Sequence, residues 1–171
     1  ALLDPFCGSG TLLIEAGLLG LNMAPGLDRS FAIENMPIGE LSIFQAEREA
    51  ARSRIVKDDD LVLVGSDEDA EVLRIARENA ERAGLGGRIK FSVGKAEDAA
   101  PIGAEGLLIA NPPYGERMGT EEEALDLYRR LSPLKDRFKG WGIGFVTNRA
   151  DFGQYFGRRA VSEHRFLNGS E

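Results

Sequence analysis

The sharpest chemical signal in this 171-residue sequence is Asn111-Pro112-Pro113-Tyr114. It follows Leu107 to Ala110, a short apolar run that reads as a buried strand. Two prolines remove two backbone donors and fix the direction of the chain. The Asn111 side-chain oxygen and the Pro112 carbonyl are then rigid acceptors. Two acceptors can hold both N–H bonds of one amino group and turn the nitrogen lone pair out of the plane of a base. An aromatic ring follows at once, and Tyr114 can stack on the face of an unpaired base. A plain Pro-Pro turn with a packed tyrosine accounts less well for a motif placed directly after an apolar strand.

Three acids also sit where strands should end. Asp4 precedes the turn Pro5-Phe6-Cys7-Gly8-Ser9-Gly10. Its glycines permit a tight strand-to-helix connection and close backbone approach to a ligand. The dinucleotide fingerprint needs a third small residue, but here Thr11-Leu12-Leu13 follows. An acid before the turn also suits a cationic ligand better than a diphosphate. By themselves these residues leave an ordinary glycine turn equally open. Asp67, in Gly65-Ser66-Asp67, can accept both hydroxyls of a ribose, or cap the helix that begins near Asp69, or do both. Asp98 can accept from an adenine amino group or simply be a solvated loop acid.

Cys7 lies in the glycine turn, not beside Asn111, so it reads as packing or ligand contact, not as a nucleophile. His164 is read as structural. One cysteine and one histidine argue against a disulfide framework and against a metal site. A reducing, cytoplasmic compartment is the simplest reading.

Positioning these groups requires a sheet. Short apolar runs alternate with amphipathic stretches, the pattern of an α/β fold with a mostly parallel sheet. The expected strands are residues 1–4, 61–65, 89–93, 107–110 and 142–147, with a sixth over 165–167. Helices are expected over 11–21 and 41–56. Another carries Val72, Ile75, Ala76, Asn79 and Ala83 at helical spacing, with Gly84 as its C-terminal glycine. Leu125, Tyr128, Leu131 and Phe138 mark one more. Residues 22–40 hold Pro25, Gly26, Pro37 and Gly39 and read as an irregular insertion. Ligands in such sheets bind beyond the carboxyl ends of the strands, where Asp4, Asp67, Asp98 and Asn111 fall.

The composition, 43% hydrophobic and 29% charged, supports a core, and no apolar run reaches the roughly 20 residues that cross a membrane. A net charge of −7 disfavours this piece gripping a phosphate backbone unaided. The basic clusters Arg129-Arg130, Lys135 to Lys139 and Arg158-Arg159 each read as solvated helix faces. The whole chain is expected to be one domain that begins and ends inside a longer protein.

At these residues the sequence resembles the Rossmann-like class I S-adenosylmethionine-dependent methyltransferases that modify amino groups of bases. It is most similar to the RNA guanine-N2 methyltransferases that carry a THUMP RNA-binding domain. The match rests on Leu3 to Ala16, on Gly65-Ser66-Asp67, and on Asn111 to Tyr114 continued by Gly115-Glu116-Arg117. The resemblance implies a catalytic domain with helices on both faces of its sheet and S-adenosylmethionine as cofactor. Asp4, Phe6, Gly8, Gly10 and Thr11 would surround the methionine part, Asp67 the ribose with Glu68 beside the adenine, and Asp98 the adenine amino group. Asn111, Pro112 and Tyr114 would hold the target base, with Pro113 and Arg117 also on the substrate. The implied partner is RNA, ribosomal ahead of transfer RNA, with a THUMP-type domain outside this chain. Lys95 departs from the family habit of an acid early in the loop after the third strand. Adenine-N6 methylation of DNA or RNA shares the amino-group chemistry. Methylation of a protein glutamine amide, a catalytically silent RNA-binding module and a nicotinamide dehydrogenase are further alternatives.

Overall fold

A computed structural model describes residues 1–36, 40–113 and 120–166. Five of the apolar runs pair as parallel strands: β1 (Leu2–Asp4), β2 (Leu63–Asp67), β3 (Ile89–Val93), β4 (Leu107–Ala110) and β5 (Gly142–Phe145). Their order is β3-β2-β1-β4-β5. The chain therefore winds outward from β1 in one direction, then crosses back to β4 and winds in the other. The carboxyl ends of β1 and β4 flank this switch point, where open α/β sheets form their ligand crevice. The register sets Leu3 opposite Val64 on one side and Leu108 on the other.

Among the described residues six α-helices accompany the sheet: α1 (Thr11–Gly20), α2 (Leu41–Ser53), α3 (Ala70–Arg82), α4 (Glu121–Leu131), α5 (Leu134–Arg137) and α6 (Phe152–Phe156). Alternation along β1 sends Leu2 and Leu3 to opposite faces. Leu2 packs with Leu13 and Leu18 of α1, Leu73 and Ala80 of α3, and Leu63 and Ile89 of the sheet. Leu3 joins Leu108, Tyr128, Leu131, Phe138, Trp141 and Phe156. Helices thus cover both faces, as an α/β reading requires. The second core is the more aromatic: Tyr128 meets Phe152 edge-on at 4.8 Å between ring centroids.

Local boundaries differ from the sequence expectation for identifiable reasons. The buried stripe of α3 is Leu73, Ala76 and Ala80, while Ile75 is 39% exposed, so the helix is rotated from the expected face. Gly84 does close α3. Its φ of 76° lets the Leu85 N–H reach the Ala80 carbonyl at 2.8 Å. The single helix expected from Leu125 to Phe138 is two, α4 and α5, because Pro133 has no N–H to continue the first. Strand β2 lies two residues later than expected, so Asp67 is its last residue. Strand β5 ends at Phe145, short of Thr147. The sixth strand is not formed at Arg165 and Phe166, and Leu167 lies outside the described residues.

The segment 22–55 leaves and rejoins the rest of the fold at one point. The Val56 N–H donates to the Leu21 carbonyl at 2.8 Å, and the Asn22 side chain donates to the Arg54 carbonyl at 3.0 Å. Inside it, a short 3-10 turn (Ala32–Asn35) is tied to α2 by Arg48, which grips both carboxylate oxygens of Glu34 and also the Arg29 carbonyl. Helix α2 ends at Ser53 rather than Val56 and buries none of its residues.

Candidate active site

The turn after β1 is held by backbone geometry. Gly8 (φ 50°) and Gly10 (φ 84°) both take the left-handed conformation that side chains disfavour. A Cβ on Gly10 would also lie 3.2 Å from the Phe91 ring and 3.3 Å from the Ala76 Cβ. The turn is stitched to the end of β2 at two points. The Cys7 N–H donates to the Ser66 carbonyl at 3.0 Å, and the Gly8 N–H donates to Oδ2 of Asp67 at 3.0 Å. Helix α3 adds a third tie, because Asn79 Nδ2 donates to the Ser9 carbonyl at 2.9 Å. Sequence spacing places Asn79 among packing residues; the signal that it does more is an amide on an otherwise apolar stripe.

Asp4 is 1% exposed, the one buried charged residue among those described. Its Oδ1 accepts the Phe6 N–H at 3.0 Å. Burial pushes its carboxyl up to about 7; nearby Asp67 adds to the rise, and the Phe6 N–H partly offsets it. A buried acid near neutrality answers to any cation brought beside it. Burial, with Asp4 and Asp67 close by, pushes the Cys7 thiol up to about 12. The thiol is therefore protonated and packed, as its place in the turn suggests, and is no nucleophile.

Asp67 does not cap α3. That role belongs to Asp69, whose Oδ1 accepts the Glu71 N–H at 2.8 Å. Asp67 instead spends one contact per oxygen on the Gly8 and Asp69 N–H groups, the latter at 3.1 Å. A carboxylate has about four acceptor positions, so lone pairs remain for ribose hydroxyls. Glu68 and Thr11 are exposed beside this crevice, and Phe6 is half-buried against the aromatic core. Asp98 ends a 3-10 turn (Ala96–Asp98) after β3, with its side chain exposed.

Across the switch point, β4 delivers Asn111 and Pro112. Extending the β1–β4 register sets Asp4 level with Ile109, so Asn111 projects two residues, about 7 Å, further along the strand direction. Asn111 is exposed, Pro112 is fully buried and Pro113 half-buried. The Val146 N–H donates to the Ala110 carbonyl at 2.8 Å, which pairs the chains up to the residue before Asn111. The structure thus ties Gly8 to Asp67, sets Asp67 near Asp4, and places Asn111 directly after the neighbouring strand. Tyr114 and Arg117 lie outside the described residues.

A family described as RMKL-like, methyltransferase domain, matches residues 1–170. The chain is 34% identical over 166 residues to YpsC of Bacillus subtilis, named as a candidate RNA methyltransferase, covering 97% of this chain and 43% of that protein. It is 40% identical over 174 residues to the ribosomal RNA large subunit methyltransferase K/L of Shewanella sp. strain W3-18-1, covering 99% of this chain and 24% of that protein. Among solved structures, SMU.472, a candidate methyltransferase crystallised with S-adenosylhomocysteine, superposes with a TM-score of 0.91 at 37% identity, covering 99% of this chain and 45% of that one. The chain therefore spans under half the length of these relatives. With its switch-point crevice and a match that runs nearly end to end, the chain belongs to the RMKL-like methyltransferase domain family.

Proposed function

We propose that this chain is the catalytic domain of an S-adenosylmethionine-dependent methyltransferase acting on the exocyclic N2 of a guanine in RNA, ribosomal RNA ahead of transfer RNA. The observation that carries the reading is the pairing of two strand ends across the switch point. Asp4, a buried acid poised to take a cation, ends β1; Asn111-Pro112, an amide and a fixed carbonyl, follow β4.

The residues fit this cofactor. Asp4 would meet the ammonium of its methionine part, with Phe6, Gly8, Gly10 and Thr11 around that part. The amides opening α1 favour its carboxylate. Asp67 would take the ribose hydroxyls, with Glu68 beside the adenine and Asp98 on its amino group. Bound S-adenosylmethionine supplies an activated methyl group on a sulfonium sulfur. Asn111 Oδ1 and the Pro112 carbonyl then accept the two N–H bonds of the target amino group and aim its lone pair. Tyr114 would stack on the base, Pro113 would bound it, and Arg117 would touch the RNA. Catalysis on this account is positioning and electrostatic orientation, with no strong base needed before attack. A base inside a duplex would first be flipped out, costing a few kcal/mol.

Relatives more than twice as long as this chain leave room for an RNA-binding module of THUMP type elsewhere in the protein. No helix among the described residues is long and apolar enough to cross a membrane. A cytoplasmic location fits the ribosomal substrate. Adenine N6 is the second reading, because the same two acceptors hold any aromatic amino group.

The test is a digest. Ribosomal and transfer RNA from a deletion strain are treated with purified full-length protein and labelled cofactor, then hydrolysed to nucleosides. Label in N2-methylguanosine is expected. Label in N6-methyladenosine moves the assignment to the second reading, and no label in any nucleoside sinks both.

A further inference from the structure

Charge is distributed unevenly along this acidic chain. Residues 1–120 hold 12 Lys and Arg against 20 Asp and Glu, whereas residues 121–166 hold nine against seven, and four of those seven lie in the first half of α4, at Glu121, Glu122, Glu123 and Asp126. In sequence the basic residues form separate short clusters. The fold brings Arg129, Lys135 and the Arg158-Arg159 pair together across α4, α5 and α6. The Arg129 guanidinium, near the end of α4, lies 5.4 Å from the centroid of the Tyr155 ring in α6. A Cβ placed on Gly157, just past α6, would lie 3.5 Å from Lys135 Nζ in α5. Arg158 and Arg159 follow at once and are exposed.

Some cations on this side are already neutralised. Arg149 is clamped by Asp151 and Glu121, and Arg130 by Asp126 and Glu97. Lys135 donates to Ser132 and lies 3.6 Å from Asp136. Arg129, Lys139, Arg158 and Arg159 are exposed and pair with no carboxylate among the described residues. These helices pack on the sheet face that carries Leu3, Leu108 and Ala110, and Arg130 and Arg137 reach the turn after β3 at Glu97 and Ala99.

We propose that the outer face of α4, α5 and α6, from Arg129 past Tyr155 and Lys135 to Arg158 and Arg159, is a docking surface for the phosphate backbone of the RNA substrate. The inference rests on the RNA reading above. It adds the direction of approach: the polyanion comes to the face of the sheet covered by α4, α5 and α6, opposite the face packed by α1 and α3. Arg and Lys without carboxylate partners are the groups that release counterions when phosphates bind. A tyrosine under Arg129 holds the guanidinium without cancelling its charge.

Two full-length triple variants with equal net charge separate position from charge. R129Q/R158Q/R159Q empties the proposed surface; R52Q/R74Q/R88Q removes three arginines elsewhere. Binding to a fluorescent ribosomal RNA fragment is measured by anisotropy across a salt series, with S-adenosylhomocysteine affinity and thermal midpoint as controls. The first variant should bind RNA about 10-fold or more weakly at low salt and lose about 2 to 3 from the slope of log K against log salt. The second should stay within about 2-fold in affinity and keep the slope. Both should retain S-adenosylhomocysteine affinity. Equal RNA binding by the two variants overturns the proposal and assigns the surface to some other partner, such as an acidic protein. If the first triple does not fold, R158Q and R159Q singly should each remove about one third of the slope change, and no change in either overturns it. Failure of the methyltransferase reading has a separate signature, an unlabelled digest from a protein that still binds RNA over this face.

Discussion

The two sides of the switch point are built in opposite ways. On the β1–β2 side the groups proposed to hold the cofactor are locked in place by the fold. Left-handed glycines set the turn, and N–H groups from Cys7 and Gly8 tie it to β2. Asn79 fastens it from α3, and Asp4 is sealed from water. On the β4 side, Asn111 stands exposed and Pro112 alone is fixed by burial. The contrast follows from what each side would handle. A small cofactor of constant shape rewards a rigid cradle, because its binding then pays no ordering cost. A base drawn from a long polymer needs an open edge to enter by.

The comparison is broken most sharply at Asn111. Asn111→Ala should lower methyl transfer by about 10²–10³-fold, the loss seen when one oriented polar group is removed from a reacting centre. S-adenosylhomocysteine affinity, measured by calorimetry, should stay within about 2-fold, since the proposed cofactor contacts lie across the switch point. Transfer at the normal rate would remove Asn111 from the proposed role. Gly10→Ala tests the other side. It forces a side chain into φ 84° and against Phe91 and Ala76, and should cost about 2 kcal/mol or more in thermal stability together with weaker cofactor binding. Gly8→Ala, where a Cβ meets nothing within 4 Å, should cost about 1–2 kcal/mol from its φ alone.

The buried acid gives a pH signature. Asp4 is raised from 3.8 to about 7, so between those values the folded apo protein holds a proton that the unfolded chain has lost. Stability should therefore fall as pH rises through that window, by on the order of 2–4 kcal/mol, and level off above about 7. Affinity for the ammonium-bearing S-adenosylhomocysteine should move the other way, rising toward pH 7 and then flattening. Asp4→Asn should flatten the stability profile and the affinity profile together; profiles unchanged in that variant would mean another group is responsible. The smallest effect belongs to the aromatic core. The Tyr128 hydroxyl is buried with no hydrogen-bond partner among the described residues. Tyr128→Phe should change unfolding free energy by less than about 1 kcal/mol, or stabilise slightly, since no bond is lost.

Much of this architecture was legible in the sequence. The five strands and the helix closed by Gly84 follow from apolar period and from glycine positions. The errors have local causes. Periodicity assigned Ile75 to the buried face of α3, but the neighbouring turn and strand select Leu73, Ala76 and Ala80 instead. It ran one helix through Pro133 because Leu131 and Phe138 both happen to face the core. It offered Asp67 as a helix cap although Asp69 sits closer to the first free N–H groups.

Sequence by itself determined which groups could do chemistry: an amide and two prolines after an apolar run, an acid before a glycine turn, an acid in Gly65-Ser66-Asp67. These are properties of residue type and of spacing along one short segment. Tertiary structure decided what those groups meet. That Asp4 is sealed from water and poised near neutrality depends on α1, β2 and β4 closing around it. That Asn79 pins the turn, and that Arg129, Lys135 and Arg158 come close together, depends on how α3 packs on the sheet and how α4, α5 and α6 pack on one another. Contacts between residues tens of positions apart carry no local signal, because they are set by packing of whole elements.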